Sequence, residues 1–137
     1  MKREQKELLI LSIIGLILLS TIGIGTYNAI INRKEIKNNY DITEGRIIDY
    51  FEVGVEENES VIYEYEANGI KYQRETSSPR KFKNCKEGST FFYLCKEYRF
   101  WVIYKKDEHS RSLINLHQRI DRLADPIFPK DKLHLFR

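Results

Sequence analysis

The chain has 137 residues, of which 31% are charged and 12% aromatic, and its formal net charge is +3. Residues 33–137 hold 20 of the 23 basic residues and 18 of the 20 acidic ones. This near balance argues against a nucleic-acid-binding domain, which normally carries a marked basic excess. About a hundred residues are enough for one domain with its own core but leave no room for a second.

Residues 8–31 form an apolar run whose one ionisable side chain is that of Tyr27. As a helix, these 24 residues would extend about 36 Å, which exceeds the roughly 30 Å hydrocarbon core of a bilayer. The run therefore predicts a transmembrane helix in contact with lipid, preceded by a charged leader at residues 1–7.

A cleaved signal peptide is the competing interpretation, because residues 1–7 resemble a charged n-region and residues 8–19 an apolar h-region. Apolar character continues to Ile31, beyond a usual h-region, which favours an uncleaved signal-anchor. Basic residues flank the run in similar numbers on both sides, so they hardly discriminate its direction. A short leader before a long C-terminal domain favours a single-pass protein of the cell membrane with its domain outside the cytoplasm.

The clearest signal in the polar part is a β-hairpin at residues 60–75. Two runs of alternating character flank Asn68-Gly69, the pair favoured in a two-residue type I′ turn. This turn fixes a register, and that register places most apolar side chains on one face and the charged ones on the other. The predicted pairs are Ala67 with Ile70, Glu66 with Lys71, Tyr65 with Tyr72, Glu64 with Gln73 and Tyr63 with Arg74.

The remaining segments complete a mainly-β domain. A linker is predicted at residues 32–42 and the β-domain at residues 43–106. Its further strands are expected at residues 45–53, 90–95 and 100–105. The predicted fold is thus a transmembrane helix followed by about five antiparallel strands in a bent sheet or small barrel.

A short helix is predicted after the strands, at residues 107–125. Leu113, Leu116, Ile120 and Leu123 recur at three- and four-residue steps, as on one face of an amphipathic helix. The tail at residues 126–137 is expected to be either a docked extended segment or a partner-binding peptide.

Two features of residues 80–95 are candidates for a functional role. Cys85 and Cys95 have nine residues between them, which fits a local disulfide in an oxidising compartment, although two free buried thiols fit as well. A basic cluster is the candidate interaction patch for anionic lipid or an acidic protein, with a solvated loop as the alternative. It consists of Arg80, Lys81, Phe82, Lys83 and Lys86.

Residue patterns typical of catalysis or metal binding are lacking. His109, His117 and His134 are spaced eight and seventeen residues apart, which matches no helical zinc pair, and the cysteines form no CxxC motif. No GxSxG motif presents a nucleophilic serine. The sequence therefore predicts neither catalytic residues nor a metal or other cofactor.

The order of these segments resembles bacterial single-pass membrane proteins of unknown function that carry one small extracytoplasmic β-domain. The resemblance covers residues 8 to about 105 and rests on the apolar span, residues 44–49 (EGRIID), the Asn-Gly hairpin, and Lys86-Glu87-Gly88 leading into residues 91–94. An Asp-Pro-rich segment, which such proteins often have after that last strand, is missing. The resemblance transfers no functional residue.

The expected function is a membrane-anchored, non-enzymatic interaction module with a protein partner. Its role would be that of an immunity-type protein or of an accessory subunit of a membrane complex. The alternative is a ligand-binding or enzymatic domain whose site is assembled from residues scattered along the sequence.

Overall fold

The structure is a computed structural model that describes residues 3–53, 58–78, 82, 85, 86, 88–90, 92–121 and 125–137, with the backbone alone at residues 3, 4, 53 and 58. The chain forms two compact units, Met1–Lys34 and Glu35–Arg137.

A single helix, α1, extends over Arg3–Asn38 and contains the predicted span. Its apolar side chains are exposed along the whole run, with Leu8 73%, Leu19 72% and Ile30 65% exposed. A soluble protein rarely leaves so large a contiguous apolar surface in water. By length and composition, α1 can cross a membrane.

Five antiparallel strands form one sheet in the order β3-β2-β1-β4-β5. The strands are β1 (Tyr40–Val53), β2 (Asn58–Ala67), β3 (Ile70–Ser77), β4 (Phe100–Lys105) and β5 (Glu108–Arg119). A short helix, α2, at Phe92–Glu97 precedes β4, and a 3₁₀ helix at Lys130–Leu135 lies near the end of the chain.

The predicted hairpin register is confirmed at all five pairs, from Ala67 opposite Ile70 to Tyr63 opposite Arg74. The turn residues have the positive φ angles that a type I′ turn requires, 52° at Asn68 and 78° at Gly69. Stacked tyrosines reinforce the pairing, because the rings of Tyr65 and Tyr72 lie 5.6 Å apart.

The sheet bends strongly towards one face. β2 and β5 are three strand spacings apart in the sheet order, about 14 Å in a flat sheet. Nevertheless the Tyr63 hydroxyl lies 2.8 Å from that of Ser112, and the Tyr65 hydroxyl donates to the His109 carbonyl. The sheet therefore curls over its own core without closing into a barrel, which confirms the predicted bent sheet.

The concave face encloses the main core. Its largest fully buried side chains come from four strands: Tyr50, Tyr63, Tyr65, Phe100, Ile114 and Leu116. Phe82 and the Cys85–Cys95 pair also belong to this cluster. Gly45 of β1 lies close to β4, because a Cβ there would be only 2.6 Å from Val102 Cγ2.

A smaller core lies on the other face of β4 and β5. Ile36, Ile103, Leu113 and Phe136 are buried there, with Trp101 and Phe128 packed against them. The tail is therefore docked on the domain, which was one of the two structures expected for it. Its backbone joins the sheet as well, because Ile114 and Arg137 exchange two N–H to carbonyl bonds of 3.0 and 3.1 Å.

Three segment predictions are wrong. Residues 92–95 of the strand predicted at residues 90–95 belong to α2. Helix α1 continues through most of the predicted linker to Asn38, and residues 108–119 of the predicted helix form β5. The last error has a physical cause. Residues 112–116 are all buried because both faces of β5 are covered, and this erases the alternation that normally marks a strand.

Candidate interaction site

Of the five residues of the predicted interaction patch, the structure describes Phe82 and Lys86. Arg80, Lys81 and Lys83 lie outside the described residues. Lys86 is exposed, but Phe82 is 4% exposed and packs edge-on against Phe100 with ring centroids 5.6 Å apart. The Phe82 side chain is therefore part of the core and not of an exposed surface.

Cys85 and Cys95 are joined by a disulfide, with Cα atoms 5.4 Å apart. Both side chains are buried in the main core, at 1% and 4% exposure. The bond fixes the segment that leads into α2 over the concave face. The two sulfurs therefore have a structural role.

A polar depression of about 290 Å³ lies on the convex side of the hairpin and β1. It is lined by Glu44, Gly45, Arg46, Glu64, Tyr65, Glu66, Lys71 and Arg99. Glu64 is its centre, since it accepts a hydrogen bond of 3.0 Å from Arg46 and lies 4.0 Å from Lys71 Nζ. Because these opposite charges neutralise one another, the depression selects neither anions nor cations.

A second depression, of about 620 Å³, lies between the turn before β4 and the end of β5. Its arginines are held by structural contacts. Arg99 donates to the carbonyls of Lys96 and Tyr98, and the Arg119 guanidinium lies 4.3 Å from the centre of the Tyr98 ring. Both arginines are therefore engaged by neighbouring groups of the protein.

No group of three or more His, Cys, Asp or Glu side chains is placed to hold a metal ion within the part of the chain that the structure describes. His109 packs edge-on against the ring of Tyr104, and its Nε2 lies 3.0 Å from the Lys106 carbonyl. This histidine stabilises the turn between β4 and β5.

The buried hydroxyls of the core are also structural. Desolvation raises the pKa of Tyr63, and the hydrogen bond to Ser112 opposes that shift only in part. The pKa of Tyr65 is raised for the same reason. Both phenols stay protonated at neutral pH, and such groups serve as hydrogen-bond donors and not as bases.

The two edges of the sheet differ. On β5, Arg137 occupies the outer side at Ile114, and Phe136 beside it is only 2% exposed. β3 is the last strand on the other side, and no described residue pairs with its outer edge. Six of its eight residues are exposed, and Tyr72 and Thr76 are half-buried.

This open edge was not recognised as a site from the sequence. The hairpin prediction placed β3 beside β2, but the sequence did not reveal on which side of the hairpin β1 would pair. Since β1 pairs with β2, β3 is left at the margin. The mixture of charges along β3 was the one available signal.

No family model, curated protein or solved structure matches this chain.

Proposed function

We propose that the protein is a single-pass membrane protein whose β-domain lies outside the cytoplasm. There it acts as a non-enzymatic module that binds a protein partner by adding a strand to the edge of β3. The open β3 edge is the observation that carries this proposal. An exposed edge strand presents unpaired N–H and carbonyl groups, which an incoming strand satisfies.

The disulfide supports the orientation. Disulfides persist in oxidising compartments outside the cytoplasm and are rare inside it. The Cys85–Cys95 bond in the core of the β-domain is therefore in keeping with an uncleaved signal-anchor that places residues 35–137 outside.

Structural use of the polar groups supports a non-enzymatic role. In the hairpin depression Glu64 is paired with Arg46 and Lys71, and His109 at the β4–β5 turn lies within hydrogen-bond distance of the Lys106 carbonyl. A binding module needs none of these groups to be reactive, whereas it does need an accessible surface such as β3.

Site-specific photocrosslinking in cells that produce the full chain tests the edge. A photoreactive residue at position 75, in β3, should give a defined protein adduct, and the same residue at position 106, in the exposed turn before β5, should not. The adduct should disappear when Gln73 is also changed to proline. Identical adducts from positions 75 and 106, or no adduct from position 75, would contradict docking at β3.

A further inference from the structure

We propose that the strand bound by β3 is β3 of a second copy of the chain, paired antiparallel about a two-fold axis at Gln73. The two sheets then become one continuous sheet. This inference rests on the proposed function, because it names the partner that docks at the same edge. Three properties of β3 support it: the direction of its backbone groups, its charge pattern and its exposure.

The backbone groups that point away from β2 belong to alternate residues. Ile70 is opposite Ala67 across a two-residue turn, and in such a hairpin this first pair is hydrogen-bonded. The same alternation reaches Ser78, whose N–H donates to the Glu59 carbonyl at 2.8 Å. Even-numbered residues therefore bond to β2, and the N–H and carbonyl groups of Lys71, Gln73, Glu75 and Ser77 point outwards.

The outward N–H and carbonyl groups of both copies are hydrogen-bonded only in registers that place outward-pointing residues of one copy opposite those of the other. Pairing centred on Gln73 places Gln73 opposite its own copy and Lys71 opposite Glu75 of the second chain. By symmetry, Glu75 then lies opposite the second Lys71. Lys71, Gln73 and Glu75 of each copy form hydrogen-bonded pairs, which gives about six main-chain hydrogen bonds, two from each pair, while Ser77 lies opposite Gly69 of the turn.

The side chains fit this register on both faces. On the convex face, two Lys71–Glu75 pairs bring opposite charges together, and Lys71 is 64% exposed in the single chain. On the concave face, Tyr72 lies opposite Arg74 of the second copy, an arrangement that permits a cation–π contact. At each end of the paired segment, Ile70 of one copy lies across from Thr76 of the other.

Neighbouring registers are less favourable. Centring the pairing on Arg74 places the two Arg74 side chains directly opposite each other, and like charges in that position are destabilising. Centring it on Tyr72 leaves Lys71 opposite Gln73 and forms no ion pair. The charges that keep an edge strand from indiscriminate pairing thus select one register with an identical strand.

Charge reversal distinguishes this pairing from contact through α1. All chains carry Gln73→Cys, which places two thiols across the two-fold axis, and are produced in full length in membranes. With Lys71→Glu, both ion pairs become Glu–Glu pairs, and with Glu75→Lys they become Lys–Lys pairs. Each variant alone should give about tenfold less disulfide-linked dimer than the parent chain.

Mixing the two variants is the decisive step. When Lys71→Glu and Glu75→Lys chains with different tags are produced together, every Glu faces a Lys, and the mixed dimer should return to the parent level. Lys132→Glu, a charge reversal at an exposed position of the C-terminal 3₁₀ helix, should leave dimer formation unchanged. Near-ultraviolet circular dichroism of each variant checks that the domain is folded.

The outcomes separate the two proposals. Recovery of the mixed dimer supports self-pairing, and failure to recover overturns it. An adduct at position 75 to a different protein, without a dimer through position 73, overturns self-pairing but leaves the interaction module standing. Absence of both overturns both proposals.

Discussion

Gly45 shows how a single missing side chain permits the bend of the sheet. A Cβ at this position would lie 2.6 Å from Val102 Cγ2 and 3.1 Å from the Glu64 carbonyl oxygen. Val102 is fully buried, and its branched side chain has few rotamers with which to move aside. The close approach of β1 to β4 therefore depends on glycine.

We expect Gly45→Ala to lower the free energy of unfolding of the β-domain by about 1–3 kcal/mol, the usual cost of overpacking a core. Chemical denaturation of the full chain in detergent, followed by the fluorescence of the single tryptophan, Trp101, measures it. Gly23→Ala is the control, because a Cβ there meets nothing within 4 Å. Equal stabilities of the two variants would contradict the close approach.

Tyr63 makes the stability of the domain sensitive to alkaline pH. Burial raises its pKa above the usual value of about 10, so the folded state holds a proton that the unfolded state releases. The contribution of protonated Tyr63 to the free energy of unfolding is fully present below about pH 10 and is lost as the pH rises further. The loss approaches 1.4 kcal/mol per pH unit, the limit for one proton.

Tyr63→Phe should therefore flatten the decline of unfolding free energy between about pH 10 and 11. At neutral pH the same change should cost about 1 kcal/mol, because Ser112 loses its partner at 2.8 Å. Tyr93→Phe, at a side chain that is 63% exposed, is the control and should leave the profile unchanged. A decline in Tyr63→Phe as steep as in the parent chain would contradict the assignment.

At the scale of elements, the hairpin was predicted in full because turn residues, alternation and cross-strand pairing all depend on neighbours in sequence. β5 was not, because its burial depends on the tail and on the end of α1, which are distant in sequence. Residues 92–97 form a helix although Phe92 and Tyr93 favour strands, and Cys95 in this helix is held by the disulfide. Long-range contacts override local preference in these two elements.

The open edge of β3 also depends on contacts between residues that are distant in sequence. The residues of β3 were placed correctly beside β2, yet its exposure at the margin follows from the sheet order, which pairs β2 with β1 on the other side. Conversely, Phe82 looked like part of a basic loop, and only the fold shows it against Phe100.

The tail packs into the smaller core, so truncating its buried side chain should destabilise the domain. Phe136 is 2% exposed among Ile36, Ile103 and Leu113. We expect Phe136→Ala to lower the unfolding free energy by about 3–5 kcal/mol, as for other large-to-small core changes. Ile127→Ala is the control, because Ile127 is 85% exposed in the same tail. Denaturation of both full-length variants measures the difference, and a Phe136→Ala chain as stable as Ile127→Ala would contradict docking.

At the scale of the whole molecule, an exposed apolar helix and a disulfide-linked β-domain share one chain. The helix is long and apolar enough to cross a membrane, and exposing so many apolar side chains to water is unfavourable. The disulfide is in keeping with an oxidising compartment on the side of the β-domain. The central claim is therefore a membrane anchor with the domain outside the cytoplasm.

Cysteine labelling in intact cells tests this claim most directly. Ser110→Cys places an exposed thiol on the β-domain, and Lys6→Cys places one before the span. A membrane-impermeant maleimide should label position 110 in intact cells and position 6 only after permeabilisation, with the protein retained in the membrane fraction after carbonate extraction. Labelling of position 6 but not of position 110 in intact cells, or release of the protein by carbonate, would contradict the account.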